Sequence, residues 1–158
     1  MKLNKCLVRA KKNTYAASAK EVILEDGARE LIYEEDVFKY RDRYYGFNPF
    51  SGQELVLKNN ELEWVMNYYG MIFSDKIMGK TTEEEIYIFL RDALKNVYAD
   101  APYRGPSKFE SGNLTYFCNF DGEILRFKRK EFIHHNHINC RMSCLEFHGG
   151  NLKQNARD

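Results

Sequence analysis

The 158-residue chain lacks the short signatures that announce a familiar chemistry. It has no phosphate loop, no nucleophile elbow, no paired-cysteine zinc signature and no dinucleotide fingerprint. It has no surplus of one charge either. With 24 Lys and Arg against 23 Asp and Glu, no strong global field draws it to nucleic acid or anionic lipid. No apolar run approaches the length that spans a bilayer, so no membrane partner is expected. Arg9, Lys11 and Lys12 stand where a secretory signal has its apolar stretch, which makes a cytoplasmic protein the expectation. Cysteine is sparse and scattered. Cys6, Cys118, Cys140 and Cys144 read as reduced thiols packed as small hydrophobes.

Tyrosine and phenylalanine are abundant, 11 of each, for an aromatic content of 15%. Tyrosine joins apolar area to a hydroxyl, so it suits half-buried strands and wet pockets alike. Hydrophobic residues at 44% and charged residues at 30% fit a globular protein long enough to bury a core without staples. No linker or internal repeat divides the chain. One domain over residues 1–150 with a polar tail at 151–158 is expected.

The hydrophobic period changes along the chain. Leu3, Cys6, Leu7 and Ala10 fall at helical spacing and predict a short helix over residues 2–12. Strands follow. Residues 21–25 and 29–33 flank Asp26-Gly27, a hairpin signal, and Phe38, Tyr40 and Tyr44 alternate with Lys39, Arg41 and Arg43. Residues 46–52 read as a loop from their Gly, Asn and Pro. A second hairpin is expected around Asn59-Asn60. In its second strand Leu62, Trp64, Met66 and Tyr68 share one face, and Val65, Asn67 and Tyr69 the other.

Thr82 with Glu85 makes a capping box. Ile86, Phe89, Leu90, Ala93, Leu94 and Val97 then form one apolar stripe that must lie against a sheet. Asp121-Gly122 predicts a third hairpin between residues 114–120 and 123–128. Phe132-Ile133 and residues 142–147 supply the last strands, with residues 134–137 as a polar hairpin tip. The fold class that follows is α+β: a bent antiparallel sheet of about eight strands, a short N-terminal helix and one longer central helix packed on the sheet.

Three clusters set a polar group beside rings and glycine. They are Trp64 with Met66-Asn67-Tyr68-Tyr69-Gly70, then Pro102-Tyr103-Arg104-Gly105-Pro106, then Phe147-His148-Gly149-Gly150. Arg104 lies between two prolines, where a guanidinium is held at low entropic cost for an anion or an aromatic face. Asn67 needs a partner if buried, and His148 can titrate near neutral pH. A purely structural reading, with Trp64 and Met66 as core and the glycines as turns or strand ends, fits the same residues equally well.

Other candidates are weaker. His134, His135 and His137 lie near Cys140, Cys144 and His148, but no pair has the spacing of a zinc knuckle, and no metal or cofactor is expected. Arg126-Phe127-Lys128-Arg129-Lys130, flanked by Glu123 and Glu131, reads as a solvated strand face better than as a nucleic-acid track. Cys144 and His148, four apart on a strand, stand about 13 Å apart, too far for a local nucleophile–base pair.

The clusters also carry a resemblance. Residues 10–16 (Ala-Lys-Lys-Asn-Thr-Tyr-Ala), then Phe50-Ser51-Gly52-Gln53-Glu54, then the three clusters occur in one order. That order resembles an uncharacterised bacterial family, domain of unknown function 5680, over about residues 3–150. The resemblance implies a small cytoplasmic domain, found alone or behind a repressor-type helix-turn-helix, with no established activity and no assigned catalytic residue. This chain would be the stand-alone form.

The expected function is a non-enzymatic small-molecule-binding or sensor module. It would hold a small anionic or aromatic ligand with Glu54, Trp64, Asn67, Tyr68, Tyr103, Arg104 and His148. Two alternatives stand beside it. One is an enzyme, a hydrolase or transferase, with Glu54 or His148 as acid–base. The other is a protein-interaction module whose exposed tyrosines bind a protein partner. A concave polar-lined pocket would favour the first two readings, and a flat aromatic patch the third.

Overall fold

The structure is a computed structural model that describes residues 2–17, 19–73, 75, 81–119 and 122–152. Helix α1 (Leu3–Asn13) forms at the expected place and buries Cys6, Leu7, Ala10 and, unexpectedly, Lys11. The Thr14 hydroxyl donates to the Ala10 carbonyl at 2.8 Å where the helix ends, and a 3-10 turn, Tyr15–Ala17, follows. Helix α2 (Glu83–Leu94) starts at Thr82 with both halves of its capping box. The Glu85 amide donates to Thr82 Oγ1 at 3.1 Å, and the Thr82 amide donates to the Glu85 carboxylate at 2.7 Å. Its whole apolar stripe, from Ile86 to Val97, is buried.

The strands are β1 (Val22–Ile23), β2 (Arg29–Glu35), β3 (Phe38–Gly46), β4 (Phe50–Lys58), β5 (Glu61–Ile72), β6 (Lys108–Ser111), β7 (Leu114–Asn119), β8 (Gly122–Glu123), β9 (Arg126–His135) and β10 (Cys140–Asn151). Nine of them form one open antiparallel sheet in the order β1-β2-β3-β4-β5-β10-β9-β7-β6, and β8 pairs with the start of β9. Among the described residues the fold is α+β, two helices on a single antiparallel sheet.

Three local expectations change. Ile23 pairs with Arg29, so the Asp26-Gly27 connection is a wider loop, closed by Leu24 N donating to Ala28 O at 2.8 Å. Of the loop expected over residues 46–52, Phe50, Ser51 and Gly52 belong to β4 and pair back onto β3, which leaves a short turn with a cis Asn48–Pro49 peptide. The partner of β7 is not residues 123–128. It is β9, from Asn119 opposite Lys130 to Leu114 opposite His135, so His134 and His135 are strand residues and the turn falls after them. Strand alternation carries β9 through its charged stretch, with Phe127, Arg129, Glu131 and Ile133 turned inward. Phe120 and Asp121 lie outside the described residues, as does the tail from residue 153.

Asn59 and Asn60 both adopt positive φ, 51° and 65°, as the turn between β4 and β5 requires. One apolar core joins the two helices to the sheet, with Leu7, Ala10, Ile86 and Leu90 against Tyr40, Val56, Met66 and Phe147. Such burial contributes roughly 1.5–3 kcal/mol per large side chain. The other sheet face carries Ile32, Asn67, Tyr69 and His148, among others. Among the described residues no helix is long and apolar enough to cross a membrane.

Candidate functional site

Strand alternation places two carboxylates on the inner, helix-covered face. In β3 the inward residues are Phe38, Tyr40 and Asp42; in β4, Glu54 and Val56; in β5, Trp64, Met66 and Tyr68. Asp42 and Glu54 are direct cross-strand partners, 4% and 1% exposed. Two like charges at that spacing destabilise a sheet unless they are compensated.

Compensation comes from outside the sheet. Lys11 of α1 reaches down and bonds Glu54 through its ammonium. Arg104, from the loop after α2, sets Nη1 3.9 Å from the other Glu54 oxygen. Its Nε and Nη2 donate to the Glu131 carboxylate of β9 at 3.2 and 3.1 Å, a two-pronged pairing. Tyr116 completes the group by donating its hydroxyl to Glu131 at 2.7 Å. Lys11, Glu54, Arg104 and Glu131 thus balance as two cations and two carboxylates. Asp42 stands outside that balance. It accepts a 2.7 Å hydrogen bond from the Tyr68 hydroxyl and has no ion pair among the described residues.

The protonation behaviour follows. Burial, reinforced by the Glu54 charge, pushes the Asp42 carboxyl up to about 7, against the opposing effect of its Tyr68 hydrogen bond. Burial pulls the Lys11 ammonium below its usual range although Glu54 resists. Burial also works against the Arg104 charge, but Glu131 outweighs it and holds the guanidinium well above its ordinary value.

A cavity of about 420 Å³ opens over Asp42. Its rings come from Tyr15, Tyr44, Phe47, Phe50, Tyr68 and Tyr87. Its charges come from Glu21, Arg29, Asp42, Glu84, Arg91 and Arg104. The Phe47 ring lies 4.8 Å from that of Tyr87, whose hydroxyl donates to the Phe47 carbonyl. Asn48 fixes this rim. Its amide donates to Glu83 at 2.9 Å, and its oxygen accepts from the Ile72 amide at 2.8 Å, which ties the β3–β4 turn to β5 and α2. Across the cavity the Tyr44 hydroxyl and Arg29 both bond Glu21.

Of the seven residues singled out from sequence, Glu54, Tyr68 and Arg104 come together. Tyr68 and Arg104 line the cavity, and Glu54 lies beneath its wall against Lys11. Tyr103 is buried behind them, 4.7 Å from the Phe127 ring, with the Arg129 guanidinium 4.1 Å above it. Trp64 is core: fully buried, stacked on Phe127 and donating Nε1 to the Ile124 carbonyl at 3.1 Å. Asn67 and His148 do not reach the cavity. They are cross-strand neighbours on the opposite sheet face, where Asn67 accepts from Gln53 at 2.8 Å and His148 is exposed. The seven residues therefore do not make one pocket, because adjacent positions on a strand point to opposite faces.

Sequence reasoning missed Asp42, Lys11 and Glu131. Each had a signal. Asp42 sits between Tyr40 and Tyr44 on an apolar strand face, Lys11 lies four residues after Leu7 on the buried helix stripe, and Glu131 shares its strand parity with Phe127. No group of three or more His, Cys, Asp or Glu among the described residues is placed to hold a metal ion.

Fold and site together define an α+β domain with an open antiparallel sheet and a ring-walled, charge-lined cavity. The model of the family Domain of unknown function (DUF5680) matches residues 42–152, and the chain belongs to that family. The match starts at Asp42 and takes in four of the five motifs, while residues 10–16 precede it. No curated protein and no solved structure matches the chain.

Proposed function

We propose that this domain is a non-enzymatic small-molecule-binding module whose ligand occupies the cavity over Asp42. The observation that carries this reading is the cavity itself. At about 420 Å³ it is within the range of small-ligand pockets, roughly 300–1,000 Å³, and it combines ring walls with a few convergent polar groups. A concave site of this kind favours a small ligand over a flat protein-binding patch. An enzymatic reading has less support. Glu54 is engaged by Lys11 beneath the wall, and His148 lies on the other sheet face. Four free cysteines, Cys6 and Cys118 fully buried, fit a cytoplasmic setting.

A thermal-shift screen with amines, carboxylates, sugar phosphates and nucleotides tests this. A cavity ligand at a hundredfold excess over its Kd should add about 2.7 kcal/mol of stability. Phe47→Ala should abolish the shift without unfolding the protein, because that ring is a 61% exposed wall. A screen flat across all four classes, or hits indifferent to Phe47→Ala, would contradict the proposal.

A further inference from the structure

The charges around the cavity are not equally available to a ligand. Arg104 is held by Glu131 and lies beside Glu54, and Arg29 is paired with Glu21. Arg129, a further buried cation, lies over the Tyr103 ring, outside the cavity wall. Arg91, half-buried on α2, lines both this cavity and a neighbouring cleft that it shares with Tyr15 and Glu21, so the Glu21 carboxylate stands on its side of the cavity. On the floor, Asp42 is the reverse case. One oxygen takes the Tyr68 hydroxyl, and the other accepts no hydrogen bond among the described residues. Lys11 and Arg104 are the cations whose charge acts on it, and Glu54 and Glu131 already balance them.

A buried carboxylate without a paired cation is costly in its charged form. What the floor lacks is therefore one positive charge. The walls suit one as well, since the faces of tyrosine and phenylalanine rings attract ammonium groups. From these observations we infer that the cavity takes an organic ammonium ion with an aromatic body, its charged nitrogen set against the Asp42 carboxylate. This rests on the ligand-binding reading above and names the class of ligand.

Asp42 is faced by Glu54 from β4, Tyr68 from β5, Lys11 from α1, Arg104 from the loop after α2, Tyr40 from its own strand and Tyr15 from the 3-10 turn. Of these, only Lys11 and Arg104 favour its charge by Coulomb attraction, and burial with Glu54 outweighs them. An ammonium ion bound there replaces the proton that Asp42 otherwise keeps. The inference differs from the anionic ligand expected for Arg104, because Glu131 already occupies that guanidinium.

Three probes share one phenol ring and differ in end charge: tyramine is cationic, 4-ethylphenol neutral and 3-(4-hydroxyphenyl)propionate anionic. Calorimetric titration at pH 8 should show tyramine binding at least about tenfold tighter than the other two, the order expected of a partly desolvated ion pair. Asp42→Asn, checked for a cooperative melting transition that shows it is folded, should remove that preference. A second test needs no variant. In the unmutated protein, tyramine affinity should rise about tenfold from pH 6 to pH 8 as Asp42 gives up its proton, while 4-ethylphenol affinity stays level. Equal affinities for the three probes, or a preference for the propionate, would overturn the charge assignment and leave the ligand site standing. Failure of all three while another screened compound binds would also overturn it. Failure of every compound would overturn both.

Discussion

The Tyr68 hydroxyl on β5 donates to Asp42 Oδ1 on β3 at 2.7 Å, across the width of β4. The phenol can cross because Gly52 of β4, which pairs with both Tyr44 and Tyr68, has no side chain, and a Cβ there would fall on the Tyr68 ring. Gly105 plays the same part for Tyr116, whose hydroxyl and ring lie 2.9 and 3.0 Å from where its Cβ would be. Gly52→Ala should therefore displace Tyr68 and destabilise the domain by about 1–3 kcal/mol. Tyr68→Phe, which removes only the hydrogen bond to Asp42, should cost a similar amount. Urea unfolding measures both, and a Gly52→Ala variant as stable as the parent would show that the crossing is dispensable.

The pH dependence of stability follows from Asp42. Its carboxyl keeps its proton in the folded state up to about 7 and loses it near 3.8 when unfolded, so the folded chain holds the extra proton between those values. The stability this residue contributes is present below about pH 4 and is lost as pH rises to about 7, at a slope of at most about 1.4 kcal/mol per pH unit. Asp42→Asn has no proton to lose. Measured against the parent, the variant should gain relative stability between pH 4 and 7 and level off above. A difference that does not change with pH would mean that Asp42 is charged throughout.

Arg104 and Glu131, 27 residues apart, form a two-pronged pair that is almost wholly buried. Arg104→Ala leaves Glu131 charged and unpaired, so it should cost about 3–5 kcal/mol. Arg104→Lys should recover only part of that, because an ammonium cannot make the planar fork.

Asn67→Ala and His148→Ala provide the contrast. Both residues lie on the sheet face opposite the cavity, and either change should stay within about 1 kcal/mol of the parent and leave cavity binding unchanged. Denaturation curves for the four variants separate the two faces. Equal losses at Arg104 and Asn67 would contradict this division of the sheet.

How far the sequence could be read varies by feature. The α2 capping box and stripe, the Asn59-Asn60 turn and the two faces of β5 were legible because each depends on residues within one element. The true partner of β7 was not, since the Asp121-Gly122 signal is local and the β9 register is decided by inward packing of Phe127 and Ile133. At the site, reading Asn67 with Tyr68 as one cluster ignored the strand period that the same sequence displays. The pairing of Arg104 with Glu131 depends on bringing a loop to a distant strand. No local spacing shows that, although the parity of Glu131 with Phe127 marks it as inward.

Amide chemical-shift perturbation in a titration of the isotope-labelled protein with tyramine locates binding without assuming a function. The largest changes should cluster at Tyr15, Asp42, Phe47, Tyr68, Tyr87 and Arg91, around the cavity, with Asn67 and His148 unmoved. Changes centred on Asn67 and His148 would contradict a ligand site over Asp42, and no change at millimolar tyramine would contradict the ammonium assignment.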